Sequence, residues 1–214
     1  MNRKPLVIIF IVIELLLFLL IHLFESNLEV ELRYLTILLC FLFVMLVGTS
    51  YDGKLLKLAF IITLIADLFL LVIDDYYLIG VSVFCFVQFI YAYRLLNINK
   101  VKYKFRAMVY VVSILITEII VKIVFEEMVD LLTIVTIIYF VTLINNIINS
   151  IFYFKCNYLF SVGLILFGFC DVFVGLSNLN NYISFDYDFT IDFAWLFYIP
   201  SQVLIALSVK KLHK

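Results

Sequence analysis

The chain reads as eight long apolar runs separated by short polar stretches, at about 5–24, 32–49, 55–73, 76–96, 107–125, 129–149, 158–177 and 191–209. Each approaches the roughly 20 residues that a helix needs to cross a bilayer. No run alternates with the period of a barrel strand, whereas helices satisfy their own backbone groups in lipid. The pattern predicts an all-α, polytopic membrane helical bundle of eight transmembrane helices, a single integral membrane domain over residues 1–214. Asn2-Arg3-Lys4 before the first run imitates a signal peptide. That run is too long, contains Glu14 and leads to no small-residue cleavage site, so it is read as a helix.

The polar connections divide by charge. The N-terminus, the 50–54, 97–106 and 150–157 loops, the C-terminal tail and the adjoining helix ends hold Arg3, Lys4, Lys54, Lys57, Arg94, Lys100, Lys102, Lys104, Arg106, Lys155, Lys210, Lys211 and Lys214, 13 of the 15 basic residues. The opposite side has only Arg33 and Lys122, with Glu25, Glu29, Glu31, Asp74, Asp75, Glu126, Glu127, Asp130, Asp186, Asp188 and Asp192. By the positive-inside rule both termini are cytoplasmic in a plasma or inner membrane. The NINKVKYKFR loop is explained by this topological role, with contact to anionic headgroups.

Composition narrows the function. The chain is 66% hydrophobic and 14% charged, about half the usual charged share. A net charge of −1 gives no reason to expect a nucleic-acid partner. Four scattered cysteines form no CxxC pair and no disulfide framework. Two histidines, His22 and His213, are too few for a His-based metal site or a Ser-His-Asp triad, and a metal held by carboxylates alone stays open without support from any motif.

Against that background two carboxylates stand out. Asp67 lies near the middle of LAFIITLIADLFLL (Leu58–Leu71), and Asp171 sits alike in SVGLILFGFCDVFVGL (Ser161–Leu176). A charged Asp at a helix centre costs about 2.5–3.5 kcal/mol by insertion scales. Such residues persist where they face a cavity, a partner or a substrate. Each lies roughly twelve residues from the start of its helix, and the two helices run the same way, so the acids can share one depth. Two close carboxylates in a dry pocket cannot both ionise cheaply, and such a pair places a general acid beside a general base. The bland alternative is two protonated acids bonding neighbouring helices.

Other polar residues at depth are Glu14, Gln88, Gln202 and Asn145, with Asn146 and Asn149. Each amide can orient a carboxylate, a water or a substrate oxygen, or simply join helices. Glu118 has Lys122 one turn on, an i,i+4 pairing that explains it locally. Glu14 and Glu118 are 104 residues apart, as are Asp67 and Asp171, and Gln88 with Ala92 parallels Gln202 with Ala206. A 4+4 internal repeat of parallel halves would produce this.

Three of these segments carry a resemblance. T-L-I-A-D-L-F-L-L (Thr63–Leu71), with the turn Asp74–Tyr77 after it, resembles the helix-3 signature of the YhhN, or lysoplasmalogenase-like, membrane proteins. Gly163–Leu179 resembles the family's seventh helix and Y-I-P-S-Q-V-L-I-A-L-S (Tyr198–Ser208) its last. The resemblance implies hydrolysis of the vinyl-ether bond of a lysoplasmalogen to a fatty aldehyde and a glycerophospho-base, with Asp67 and Asp171 as the catalytic pair. Tyr198 and Gln202 would orient polar groups. Where the family commonly has a histidine in helix 4, this sequence has Gln88, in Q-F-I-Y (Gln88–Tyr91). The expectation is therefore a membrane hydrolase acting on an ether lysolipid. Its rivals are a non-enzymatic binder or proton-coupled transporter of a lipid-like solute, and a purely structural membrane protein.

Overall fold

Long apolar stretches with only two prolines leave the backbone to bond within itself. The structure, a computed structural model, describes residues 3–23, 28–97, 103–124, 130–178 and 187–209. Its helices are α1 Arg3–Leu23, α2 Glu29–Val47, α3 Tyr51–Asp67, α4 Tyr77–Leu96, α5 Tyr103–Val124, α6 Leu131–Phe152, α7 Tyr158–Asn178 and α8 Tyr187–Leu207, with a π-helical stretch Leu68–Val72 after α3. The described residues contain these eight helices and no strand. Seven, all but α5, are long and apolar enough to cross a membrane, which makes the chain a multi-pass membrane protein. Lys100, Lys102, Lys210, Lys211 and Lys214 lie outside the described residues, as do Glu25, Glu126, Glu127 and Asp186.

Local chemistry sets the helix ends. The 50–54 stretch, expected as a loop, is already the first turn of α3. Ser50 Oγ accepts from the Gly53 N–H at 3.0 Å, an N-cap that starts the helix early. Asp130 caps α6 by accepting from the Thr133 N–H at 2.8 Å. Bonds from the Thr133 hydroxyl and amide hold the exposed Asp130 carboxyl below its ordinary range. Asn157 Oδ1 accepts from the Phe160 N–H, and its Nδ2 donates to the Ser208 carbonyl at 2.8 Å, tying the start of α7 to the end of α8. Within the helices, hydroxyls such as Ser82 and Thr142 donate to the carbonyl four residues back, which satisfies them away from water.

The helices pack as two units, Met1–Gly53 with Tyr153–Lys214, and Lys54–Phe152. These do not follow the two halves of the repeat expected from the sequence. In the first unit α7 packs along α8, while α2 lies beside α8 and α1 beside α2. Phe173 stacks on Phe197 at 5.6 Å. A Cβ on Gly163 would lie 2.8 Å from Ile205 Cγ1 and 3.0 Å from the Ser201 carbonyl oxygen, so the bare glycine lets α7 and α8 approach. In the second unit α4 and α6 pack together, α5 lies against α6, and the π-helical stretch lies against α4. There Gly80 meets Leu70, and a Cβ at 80 would lie 2.5 Å from Leu70 Cγ. The turn between them holds Asp74 and Tyr76 at φ 52° and 58°. That region is uncommon for a bulky side chain.

Candidate functional site

The expected site residues fall in both units. Glu14, Asp171, Tyr198 and Gln202 belong to the first, and Asp67, Gln88 and Asn145 to the second.

In the first unit α1 and α2 run antiparallel, and their facing residues form layers. A cavity of about 350 Å³ is lined by Lys4, Val7, Phe43, Val47, Leu207 and Val209. Next come the stacked rings of Phe10 and Phe43, 4.2 Å between centres. One turn further, the Cys40 thiol donates to Glu14 Oε1 at 3.6 Å. Glu14 is 2% exposed, and its other oxygen has no hydrogen-bond partner among the described residues. Leaving a buried polar atom unpaired costs about 1–3 kcal/mol.

At the opposite end of α2, Arg33 donates to Glu29 and to Asp192 at 3.3 Å. Its guanidinium lies 4.9 Å from the Trp195 ring centre. Trp195 meets Tyr198 edge-on at 5.2 Å, and Tyr198 meets Phe167 at 5.6 Å. Asp171, partly buried, follows Phe167 by one turn of α7. Since α2 runs from Asp192 and Trp195 at Arg33 to Leu207 and Val209 at Val47, Cys40 is level with the Tyr198–Gln202 turn of α8. Glu14, Cys40, Tyr198 and Gln202 therefore share a depth. Gln202 is 1% exposed and its Oε1 has no partner among the described residues. Pro200, inside α8, removes the N–H that would bond the Leu196 carbonyl between these two residues.

In the second unit Asp67 is 4% exposed and ends α3 where the backbone changes pitch. The Ile73 N–H donates to the Leu68 carbonyl at 2.9 Å, a bond spanning five residues. Such π segments are rare and occur often at functional sites. One turn before Asp67, the buried Thr63 hydroxyl has no partner among the described residues.

Gln88, 0% exposed on α4, belongs to a polar network with α5 and α6. Asn146 Nδ2 donates to the Gln88 backbone carbonyl and to its Oε1, each at 2.9 Å. The Tyr110 hydroxyl donates to Asn146 Oδ1 at 2.7 Å and accepts from Asn149 Nδ2 at 3.1 Å. Asn145, the residue singled out from the sequence, instead donates to Ser113 Oγ and to the Val141 carbonyl of its own helix. Sequence reasoning thus missed Tyr110, and it named Asn146 only beside Asn145 and Asn149. A signal existed, because Tyr139, Thr142, Asn146 and Ser150 recur at helical spacing and are all buried. The expected Glu118–Lys122 pair does not form. Lys122 is exposed, and Glu118 Oε1 has no partner among the described residues.

A family model matches residues 28–209. The chain belongs to the YhhN family. The match takes in α2 to α8, and so all of the residues above except those on α1. Comparisons of this YhhN chain with curated proteins and with solved structures returned no match.

Proposed function

We propose that the protein is a lysoplasmalogenase-like hydrolase that cleaves the vinyl-ether bond of a lysolipid within the membrane. The observation that carries this reading is Asp67, a buried carboxyl in an apolar helix at its α-to-π junction. Membership of the YhhN family is consistent with it.

The chemistry follows from the bond. Protonation of a vinyl ether at the carbon remote from oxygen is the slow step, and it leaves an oxocarbenium-like cation. In this reading one of Asp67 and Asp171 delivers that proton. The other, as carboxylate, stabilises the cation and takes a proton from the attacking water. The resulting hemiacetal breaks its carbon–oxygen bond, releasing the fatty aldehyde and the glycerophospho-base. Gln88, Asn145, Tyr198, Gln202 and Glu14 orient polar groups, and the apolar helices hold the alkyl chain. No metal or cofactor takes part. Both termini face the cytoplasm.

Aldehyde release from a lysoplasmalogen by purified protein in detergent tests this, beside Asp67→Asn and Asp171→Asn. Release that either substitution cuts by about 100-fold or more, the usual scale for general acid–base catalysis, supports the hydrolase. A folded protein that releases none overturns it. Proton-coupled uptake of a lipid-like solute abolished by Asp67→Asn, with no product, would establish the transporter instead.

A further inference from the structure

The hydrogen polarity of the network around Gln88 is determined by backbone atoms. The atom of Asn146 that lies 2.9 Å from the Gln88 backbone carbonyl must be a donor, since a carbonyl only accepts. That atom is Nδ2, and it also lies 2.9 Å from the side chain of Gln88, so the Gln88 atom facing it is the acceptor Oε1. The far end is fixed in the same way. Asn149 Nδ2 donates to the Asn145 backbone carbonyl at 2.9 Å and also to the Tyr110 oxygen. The Tyr110 hydroxyl is then left to donate to Asn146 Oδ1. Every member has one assignment, and the chain of donors ends at Gln88 Nε2. That nitrogen is buried and has no partner among the described residues, on a residue that is 0% exposed.

We propose that Asn146, set in turn by Tyr110, locks the Gln88 amide with its nitrogen free, so that position 88 binds a hydrogen-bond acceptor of the ligand. A glutamine free to turn could face either a donor or an acceptor, and this one cannot. Gln88 is eleven residues into the twenty of α4, about 16 Å along the helix at 1.5 Å per residue. The proposed reaction brings one acceptor to that depth, the ether oxygen of the bond to be cleaved, at the head of the alkyl chain. Phosphate oxygens stay with the headgroup. Asn146 and Tyr110 are positioning residues. This inference rests on the lysolipid reading above for its ligand.

The test compares the Kd of two non-hydrolysable lysophospholipids, an alkyl ether and its analogue with CH2 in place of the ether oxygen, using whole protein in nanodiscs. One net hydrogen bond corresponds to a preference of about fivefold for the ether. The preference should fall to about one in Gln88→Met, which keeps the length and loses the donor. It should shrink in Asn146→Ala and in Tyr110→Phe, the latter removing only a hydroxyl, and persist in Ser113→Ala, whose hydroxyl lies off this chain. Equal binding of both lipids by the native protein overturns the donor assignment and leaves the lysolipid reading standing. So does a preference that survives Gln88→Met. Failure of the native protein to bind either lipid overturns both.

Discussion

Arg33 of α2 and Trp195 of α8 stack, with the guanidinium 4.9 Å from the ring centre. The same guanidinium bonds Glu29 of its own helix and Asp192 of α8, so one buried cation joins α2 to α8 through a carboxylate and an indole. The Asp192 side chain is 66% exposed, which makes its ion pair a minor contributor. The stack and the buried stem of Arg33 carry more. Arg33→Ala should lower stability by about 1–2 kcal/mol, read as a fall in Tm in detergent. Trp195 is the only tryptophan, so its emission should change with the loss of the cation. Unaltered emission would show that the stack does not persist in solution.

Gly163 and Gly175 lie on the same helix and should respond oppositely to alanine. A Cβ at 163 collides with Ile205 and approaches the Ser201 carbonyl oxygen, whereas a Cβ at 175 meets nothing within 4 Å. Gly163→Ala should cost about 1–3 kcal/mol by overpacking. Gly175→Ala should gain up to about 1 kcal/mol from helix propensity. Thermal unfolding of the two variants checks the sign of each.

Glu14 buries a carboxyl oxygen that nothing among the described residues satisfies. Glu14→Met, of similar length, removes that oxygen and should raise stability by about 1–3 kcal/mol. Because Glu14 shares its layer with Tyr198 and Gln202, the same variant should release aldehyde more slowly. A stability gain with a loss of turnover is the mark of a group retained for function. A lower Tm would mean that its bond from Cys40 is worth more than the unpaired oxygen costs.

Asp130 gives the start of α6 a dependence on acid. Its carboxyl is held below the ordinary aspartate value by Thr133, so the cap contributes above that value, about 3.9, and is lost as pH falls through the lower folded value. Protection of the amides at residues 131–134, taken relative to the intrinsic exchange rate at each pH, should fall on acidification through that range. In Asp130→Ala that protection should be low and independent of pH.

The fold was largely legible because a bilayer requires long apolar runs: the eight runs expected correspond to eight helices, seven of them long and apolar enough to cross. The start of α3 was misplaced because Ser50 caps it, and one side-chain bond outweighs the polar look of Tyr51–Lys54. Asp67 and Gln88 were visible as polar residues in apolar sequence, and the structure finds both buried. What single residues could not reveal was pairing across distance. Asn146 reaches Gln88 over 58 residues, while its neighbour Asn145 turns to Ser113. Glu118 and Lys122 had the spacing of an ion pair, but a long, exposed lysine is not held to its partner by spacing alone.

The grouping of the helices also bears on how the chain is made. Residues Lys54–Phe152 form one unit from continuous sequence, so that unit has all its helices as soon as α6 leaves the ribosome. The other unit is split. Its α1 and α2 are synthesised first, yet the Asp192 and Trp195 that engage Arg33 arrive with the last helix. Until then Arg33, near the end of α2, has its Glu29 partner but not its partners on α8. The Arg33 contacts to Asp192 and Trp195 can therefore form only after the last helix is made. A nascent chain truncated after α6 would be caught without them.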